Sequence, residues 1–365
     1  MKVMFRLLLV FMALAQGCAW ARPPRIVVPP VAQIATSDGP HVLWKGSEAT
    51  LYQVRDGRAS QKVVQGAFDL LLPGITGQPV SLTPEPQKVV CFAHEKPAKI
   101  LAVSDVHGRF DSLLHLLQAQ HVVDAELHWR FGQGQLVIVG DVMDRGPQVT
   151  ESYWFLRGLE QAAKKSGGAV HVILGNHEAM LLAGDTRYVN SKYLAAPTGL
   201  PALSVLYGPT SELGRWLRTR PAMVRLGDIL FVHGGISPEV LELGLDLHQI
   251  NLGIANALGL SPKEAWGDAA VLLSSKGPLW YRGLLPEGGS PQATEDHITR
   301  VLDHFKVRTL VVGHTTLPAL GGFHGGRVYG IDAGIKDGNP GEAWLWAGGK
   351  AWRASADGGR VLLVP

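Results

Sequence analysis

Cysteine is almost missing from this chain: Cys18 and Cys91 are the only two in 365 residues. Loss of a short leader ending at Ala21 would leave Cys91 alone, so the mature chain is expected to fold without an internal disulfide. Cys91 sits in the apolar run Val89-Val90-Cys91-Phe92 and reads as a small buried hydrophobe rather than a reactive thiol. Basic runs are missing too, with nothing longer than pairs such as Lys164-Lys165. The formal charge of +3 falls to +1 when Lys2 and Arg6 leave with the leader. That excludes an electrostatic case for nucleic-acid or membrane-surface binding. Internal repeats and low-complexity segments are absent. Charged residues make up 18% of the chain and hydrophobic ones 46%, which excludes a disordered chain and suffices for a large core.

The first 21 residues read as an export signal. Lys2 and Arg6 supply positive charge, Leu7 to Ala15 is apolar but too short to span a bilayer, and Ala19-Trp20-Ala21 offers small residues where a signal peptidase reads. A periplasmic or secreted location is therefore expected. A second route is lipidation at Cys18 within Leu14-Ala15-Gln16-Gly17-Cys18, although Ala15 stands where an aliphatic residue is usual. Residues 22 to about 35 are Pro-rich and predicted irregular. From His41 to about Pro97, short β-like runs alternate with turn signals at Asp56-Gly57 and Pro73-Gly74, predicting a small β-rich extension.

From Lys99 the pattern changes to apolar strands separated by helical segments, which predicts an α/β domain. Strands are expected at 100–103, 136–139, 170–174, 229–232, 310–312 and 328–331. Helices are expected at 111–119 and 151–165, and another should open at Ser237-Pro238. Five short motifs follow these strands in order: Ser104-Asp105-Val106-His107-Gly108, Gly140-Asp141-Val142-Met143-Asp144-Arg145-Gly146, Gly175-Asn176-His177-Glu178, His233-Gly234-Gly235 and Gly313-His314-Thr315. Each alone is weak in a chain with 14 His and 44 Gly. Their placement past strand ends, where open α/β sheets bind ligands, gives the set its weight.

Asp, His and Asn are suitable ligands for manganese, iron or zinc. Phosphomonoester hydrolysis needs a nucleophile, neutralised phosphoryl oxygens and a protonated leaving oxygen. Two divalent metals roughly 3.5–4 Å apart can meet the first two demands.

The ordered motifs resemble the phosphoprotein phosphatase family of calcineurin-like metallophosphoesterases, most of all its Shewanella-like branch. The resemblance implies a central β-sandwich flanked by helices (αββα), with the β-rich extension before it. The expected layout is signal peptide 1–21, linker and extension 22–98, catalytic domain 99–340, and C-terminal strands or tail 341–365, the resemblance itself covering roughly residues 99–335. Asp105, His107 and Asp141 would hold one metal, and Asp141, Asn176, His233 and His314 the other. A bridging hydroxide is the implied nucleophile. Manganese is the expected metal, with iron or zinc as alternatives. Two such cations against two carboxylates leave a centre of about +2 for a phosphate dianion. His177 would be the general acid, oriented by Asp144, with Arg145 gripping phosphoryl oxygens through its planar fork. Arg282, in Gly277-Pro278-Leu279-Trp280-Tyr281-Arg282-Gly283, is the expected second arginine, with Arg225 and Arg215 as rivals. His324-Gly325-Gly326 repeats the fourth motif but follows Gly321-Gly322-Phe323 rather than an apolar run, so His324 is expected to sit in a turn as a loop residue.

The substrate expected from this resemblance is phosphoprotein, on Tyr or on Ser/Thr, with small phosphomonoesters as further substrates. A diadenosine polyphosphate hydrolase shares four of the motifs, but those enzymes resemble Ala-Arg-Gly where this chain has Asp144-Arg145-Gly146. A non-catalytic metal-binding scaffold is a third reading, and it would need neither His177, Asp144 nor Arg145. Tyr188, Tyr193, Tyr207 and Trp216 lie between the third and fourth motifs, either to stack on an aromatic ester or to pack a cap. Ser104 and Met143 depart from the commoner Gly and Val of the family.

Overall fold

The computed structural model describes residues 23–27, 37–87, 89, 92–195, 197–289 and 291–364. The expected leader with Cys18, and also Cys91, lie outside the described residues.

Two six-stranded sheets carry the architecture. In one, the spatial order is Ala169–Ile173, Gln135–Val139, Lys99–Val103, Glu342–Ala347, Lys350–Ser355 and Arg360–Leu362. The first three run parallel, and Glu342–Ala347 adds antiparallel with Trp344 opposite Ala102. In the other, the order is Gly321–Phe323, Val328–Gly330, Thr309–Val312, Ile229–Val232, Met223–Leu226 and Ala93–His94. The three middle pairings that carry His233 and His314 are parallel except for the hairpin from Met223–Leu226 to Ile229–Val232.

Period-2 alternation explains why these strands are apolar at nearly every position. Ile100, Ala102, Val137, Val139 and Ile173 join Ile229, Phe231 and Val311 in one core between the sheets. Their alternates Leu101, Val103, Leu136 and Ile138 face outward into a second core, against the helices Phe110–Ala119 and Val149–Lys165. On the other side, Leu230, Val232, Leu310 and Val312 pack with Pro238–Glu242, Leu247–Ala257 and Glu295–Phe305. A strand covered on both faces has no polar side to show, and the layers are helix, sheet, sheet, helix. Ser237 caps its helix as expected, its Oγ accepting from the Val240 amide at 3.1 Å.

One finding corrects the expected outline. Arg25–Val27, within the stretch predicted irregular, is a strand paired in parallel with Phe68–Leu71; the flanking prolines mask it, while Ile26 buries its side chain there. The expected C-terminal strands are present, and Glu342–Ala347 pairs beside the strand that delivers Asp105 and so continues its sheet. The β-rich extension folds as the antiparallel set Asp38–Lys45, Glu48–Arg55, Arg58–Gln65 and packs on the long helix, where the Trp154 indole N–H donates to the Pro40 carbonyl at 2.8 Å. Among the described residues, no helix is long and apolar enough to cross a membrane.

Candidate active site

Every motif lands just past the carboxyl end of its strand, and all five loops converge on one buried spot. Asp141 lies at the centre. Its Oδ1 accepts from the His177 amide at 3.0 Å, while Oδ2 stands 3.2 Å from His233 Nε2, 3.5 Å from His107 Nε2 and 3.8 Å from His177 Nε2. His233 Nε2 is also 3.0 Å from Asn176 Oδ1, and Asp105 Oδ1 is 3.9 Å from His107 Nε2. His314 belongs to the same ligand-spaced group as Asp141 and His233.

The outward-facing ring nitrogens are tied down as a ligand histidine requires. His107 Nδ1 donates to the Met143 carbonyl at 2.7 Å, and His233 Nδ1 to that of Val139 at 2.8 Å. His314 Nε2 donates to the Trp280 carbonyl at 3.1 Å, which leaves its Nδ1 as the binding nitrogen. Such bonds fix tautomer and orientation at metal-binding histidines. The residues therefore fit a pair of divalent cations, and Asp141, common to two ligand-spaced groups, could serve both.

The electrostatics agree, because without cations the cluster must hold protons instead. Burial, with Asp332 and Asp141 nearby, pushes the Asp105 carboxyl up to about 7. Burial opposes charge on His233, but Asp141 lifts it to about 9, while burial holds His107 down to about 3. Metal binding must displace the His233 proton and part of that on Asp105. Titrating metal-free protein with Mn²⁺ by calorimetry in buffers of different ionisation enthalpy is expected to show release of about one proton per protein at pH 8, and more at pH 7. Binding with no proton release would contradict this donor set.

His177 has a different partner. Its Nδ1 lies 2.6 Å from Asp144 Oδ2, deep enough that burial works against the charged ring, yet Asp144 and Asp141 hold its pKa above the ordinary value. Arg145, exposed, follows directly. Arg282 donates to the His314 carbonyl at 2.5 Å, which brings it to the site. Its rivals are elsewhere: Arg225 donates to the Phe305 carbonyl, and Arg215 pairs with Glu212 over the Trp44 ring. His324 bonds Glu295 and the Leu284 carbonyl, outside the cluster.

Backbone strain concentrates here. Asp105, His107, Asp141, Asp144, Arg145 and His314 all have positive φ, six of the eleven such non-glycine residues described. Each left-handed residue costs on the order of 1–3 kcal/mol and persists only where its surroundings hold it. Glu178 is one holder. Its Oε1 accepts from the Val142 and Met143 amides and the Tyr153 hydroxyl, each at 2.9 Å. Its Oε2 accepts from the Asp141 amide at 3.0 Å and the Gly175 amide at 2.7 Å. Close approach is another requirement: a Cβ on Gly175 would lie 2.1 Å from Asp141 Oδ1, and one on Gly313 would lie 1.8 Å from Ser104 Oγ.

Glu178 was not among the residues singled out from the sequence, although it closes the third motif; an acid at the third position of a helix start was the available signal. Ser104 has a part as well, its Oγ 2.6 Å from Asp105 Oδ2 and 2.9 Å from the Val139 carbonyl. Of the four aromatic candidates, Tyr193, Tyr207 and Trp216 are buried packing residues. Tyr188 is 43% exposed, with its ring centroid 5.1 Å from that of His177 and 5.2 Å from the Arg145 guanidinium.

The profile of the calcineurin-like phosphoesterase family matches residues 98–318, and the chain belongs to that family. It is a phosphoester hydrolase, with a centre of the two-metal kind. Within the family its likeness runs to the Shewanella-like phosphatases. It is 30% identical over 246 residues to Shewanella-like protein phosphatase 1 of Plasmodium berghei, covering 65% of this chain and 67% of that one. The crystal structure of a cold-active protein-tyrosine phosphatase from a psychrophilic Shewanella species superposes with a TM-score of 0.82 at 35% identity, over 90% of this chain and 99% of that one. A symmetrical bis(5'-nucleosyl)-tetraphosphatase of Vibrio vulnificus is 32% identical over 137 residues, only 38% of this chain and 44% of its own.

Proposed function

We propose that the enzyme removes phosphate from phosphoproteins, with phosphotyrosine the preferred ester, using two manganese ions held by Asp105, His107, Asp141, Asn176, His233 and His314. Iron or zinc would suit the same donors. When bound, the metal pair supplies charge for the phosphoryl oxygens and activates water. The rest is assigned to side chains. Arg145 and Arg282 grip the non-reacting oxygens, and His177, oriented by Asp144, hands its proton to the leaving oxygen.

The observation that carries the tyrosine preference is Tyr188. Its ring borders both His177 and Arg145, so an aryl leaving group receiving the His177 proton lies against an aromatic wall. Arg187, 5.8 Å from the same ring, leads into a cavity of about 140 Å³ lined by Met180, Leu260, Pro262 and Trp280, with room for neighbouring side chains of a peptide. Aromatic contacts of this kind contribute about 0.5–1.5 kcal/mol. Tyr188→Ala is therefore expected to lower kcat/KM on a phosphotyrosine peptide by about threefold to tenfold, with a phosphothreonine peptide nearly unaffected. Equal losses on both would remove Tyr188 as a selector. A preference of the wild type for diadenosine tetraphosphate over both peptides would replace the proposal with nucleotide hydrolysis. Export to the periplasm belongs to the same proposal and rests on the leader-like segment; a chain found only in the cytoplasmic fraction would remove it.

A further inference from the structure

Asp144 and Arg145 both stand in left-handed backbone, at φ +73° and +63°, so something must hold the turn that presents them. Part of that hold comes from the first and third motifs, through the Gly146 amide donating to the His107 carbonyl at 2.9 Å and His177 bonding Asp144, and part from one short segment. The Arg145 amide donates to the Tyr188 carbonyl at 2.9 Å, and Asn190 Nδ2 donates to the Arg145 carbonyl at 2.7 Å. Lys192 Nζ donates to the Pro147 carbonyl at 2.6 Å and reaches Glu151 Oε1 at 3.2 Å. The Tyr193 hydroxyl donates to the same Pro147 carbonyl at 2.8 Å and accepts from the Val149 amide at 2.8 Å. Residues 188–193 thus close over residues 145–149 like a clasp.

Lys192 is the unusual member. Its side chain is 4% exposed, and a lysine is rarely buried unless its charge is matched. Glu151 supplies one partner charge. Asp38, from the β-rich extension, adds a second charge that attracts Lys192: it is itself buried, bonds His41 at 2.7 Å, and lines with Lys192 a cavity of about 180 Å³. A lysine whose only task was to cover the surface would point its charge to water.

We propose that Lys192 is a positioning residue for Arg145. Through the Pro147 carbonyl and Glu151 it fixes the turn that aims the guanidinium at phosphate, and the β-rich extension completes the device through Asp38. The proposal rests on the reading of Arg145 as a phosphate-gripping residue.

A double-mutant cycle on the manganese-loaded full chain separates this from a general structural role. The measurements are kcat/KM for 4-nitrophenyl phosphate, inhibition by inorganic phosphate, and melting temperature, for wild type, Lys192→Met, Arg145→Ala and the double variant. Lys192→Met is expected to lose roughly tenfold to a hundredfold in kcat/KM through misplacement, with weaker phosphate inhibition. In the Arg145→Ala background the same change should cost less than about threefold, since coupled residues are not additive. Lys192→Arg, which keeps charge and donors, should recover most of the loss. If Lys192→Met does not fold, Lys192→Gln takes its place in the cycle. Losses that simply multiply, or full activity in Lys192→Met, overturn the proposal. Arg145→Ala with unchanged activity and phosphate inhibition instead overturns the reading of Arg145, and the proposal falls with it.

Discussion

Glu178→Ala is expected to leave little folded enzyme, although Glu178 is neither one of the expected metal ligands nor a substrate-gripping residue. Its carboxylate gathers four backbone amides and the Tyr153 hydroxyl, and it is 1% exposed, so no water stands ready to replace it. Each buried donor left without a partner costs about 1–3 kcal/mol. Five of them together reach the size of a typical domain's whole stability, about 5–15 kcal/mol. Burial and the nearby Asp141 press the Glu178 carboxyl upward, and the donors are what keep a charged form in place. Glu178→Gln should fold but melt well below wild type, because one amide oxygen cannot serve both sides and the amide NH₂ faces other N–H groups. Thermal melts followed by circular dichroism, with metal content measured on whatever folds, check both variants. A wild-type melting temperature for Glu178→Ala would refute the argument.

That carboxylate also marks where reading the sequence reaches its end. Buried strands are legible because they must be apolar throughout, and Leu136 to Val139 or Leu310 to Val312 have no other reading. Motif residues past strand ends are legible because their chemistry is distinctive and their order is fixed. Met223–Leu226 and Arg25–Val27 are not, the first because a short hairpin strand carries Arg225 on its face, the second because prolines surround it. The fate of Tyr188 against Tyr193, Tyr207 and Trp216 is equally hidden, since Tyr188 falls in the turn between the helices Asn176–Leu182 and Ser191–Leu194, while the other three lie in or at the end of short helices packed on the core. Hidden most completely is support. Nothing in the letters Asp144 and Arg145 announces a left-handed backbone, and nothing in Asn190 or Lys192, over forty residues away, announces that they hold it.

Strain and support together explain why the site is built from loops of five strands rather than from one helix. Six left-handed residues would unravel if exposed on a flexible loop. Here each loop is pinned at both ends, by a strand before it and by a neighbour after it. His314, for example, donates its amide to Asp105 Oδ2 at 2.9 Å, linking the fifth motif to the first. Ligands from distant parts of the chain are thereby held at their spacing before any cation arrives, which lowers the ordering cost of binding one.

His177→Ala is expected to divide substrates by their leaving groups. An alkoxide leaving from phosphothreonine needs a proton in the transition state, and loss of a positioned acid costs roughly 10²–10⁴ in rate. The stabilised phenolate of 4-nitrophenyl phosphate leaves without one, so its kcat should fall far less, with metal content unchanged. The competing role is that of a ligand, because His177 Nε2 shares a ligand-spaced group with His107 and Asp141. A ligand's loss would lower metal content and damage both substrates alike, and that outcome would sink the acid. Asp144→Asn tests the same assignment through pH. An acid must hold its proton, so activity falls as pH rises through its pKa. Asp144 keeps that pKa above the ordinary histidine value, and removing its charge should move the alkaline limb of kcat to lower pH. An alkaline limb left in place would belong to a different group, and Asp144 would then be only a structural partner for the ring.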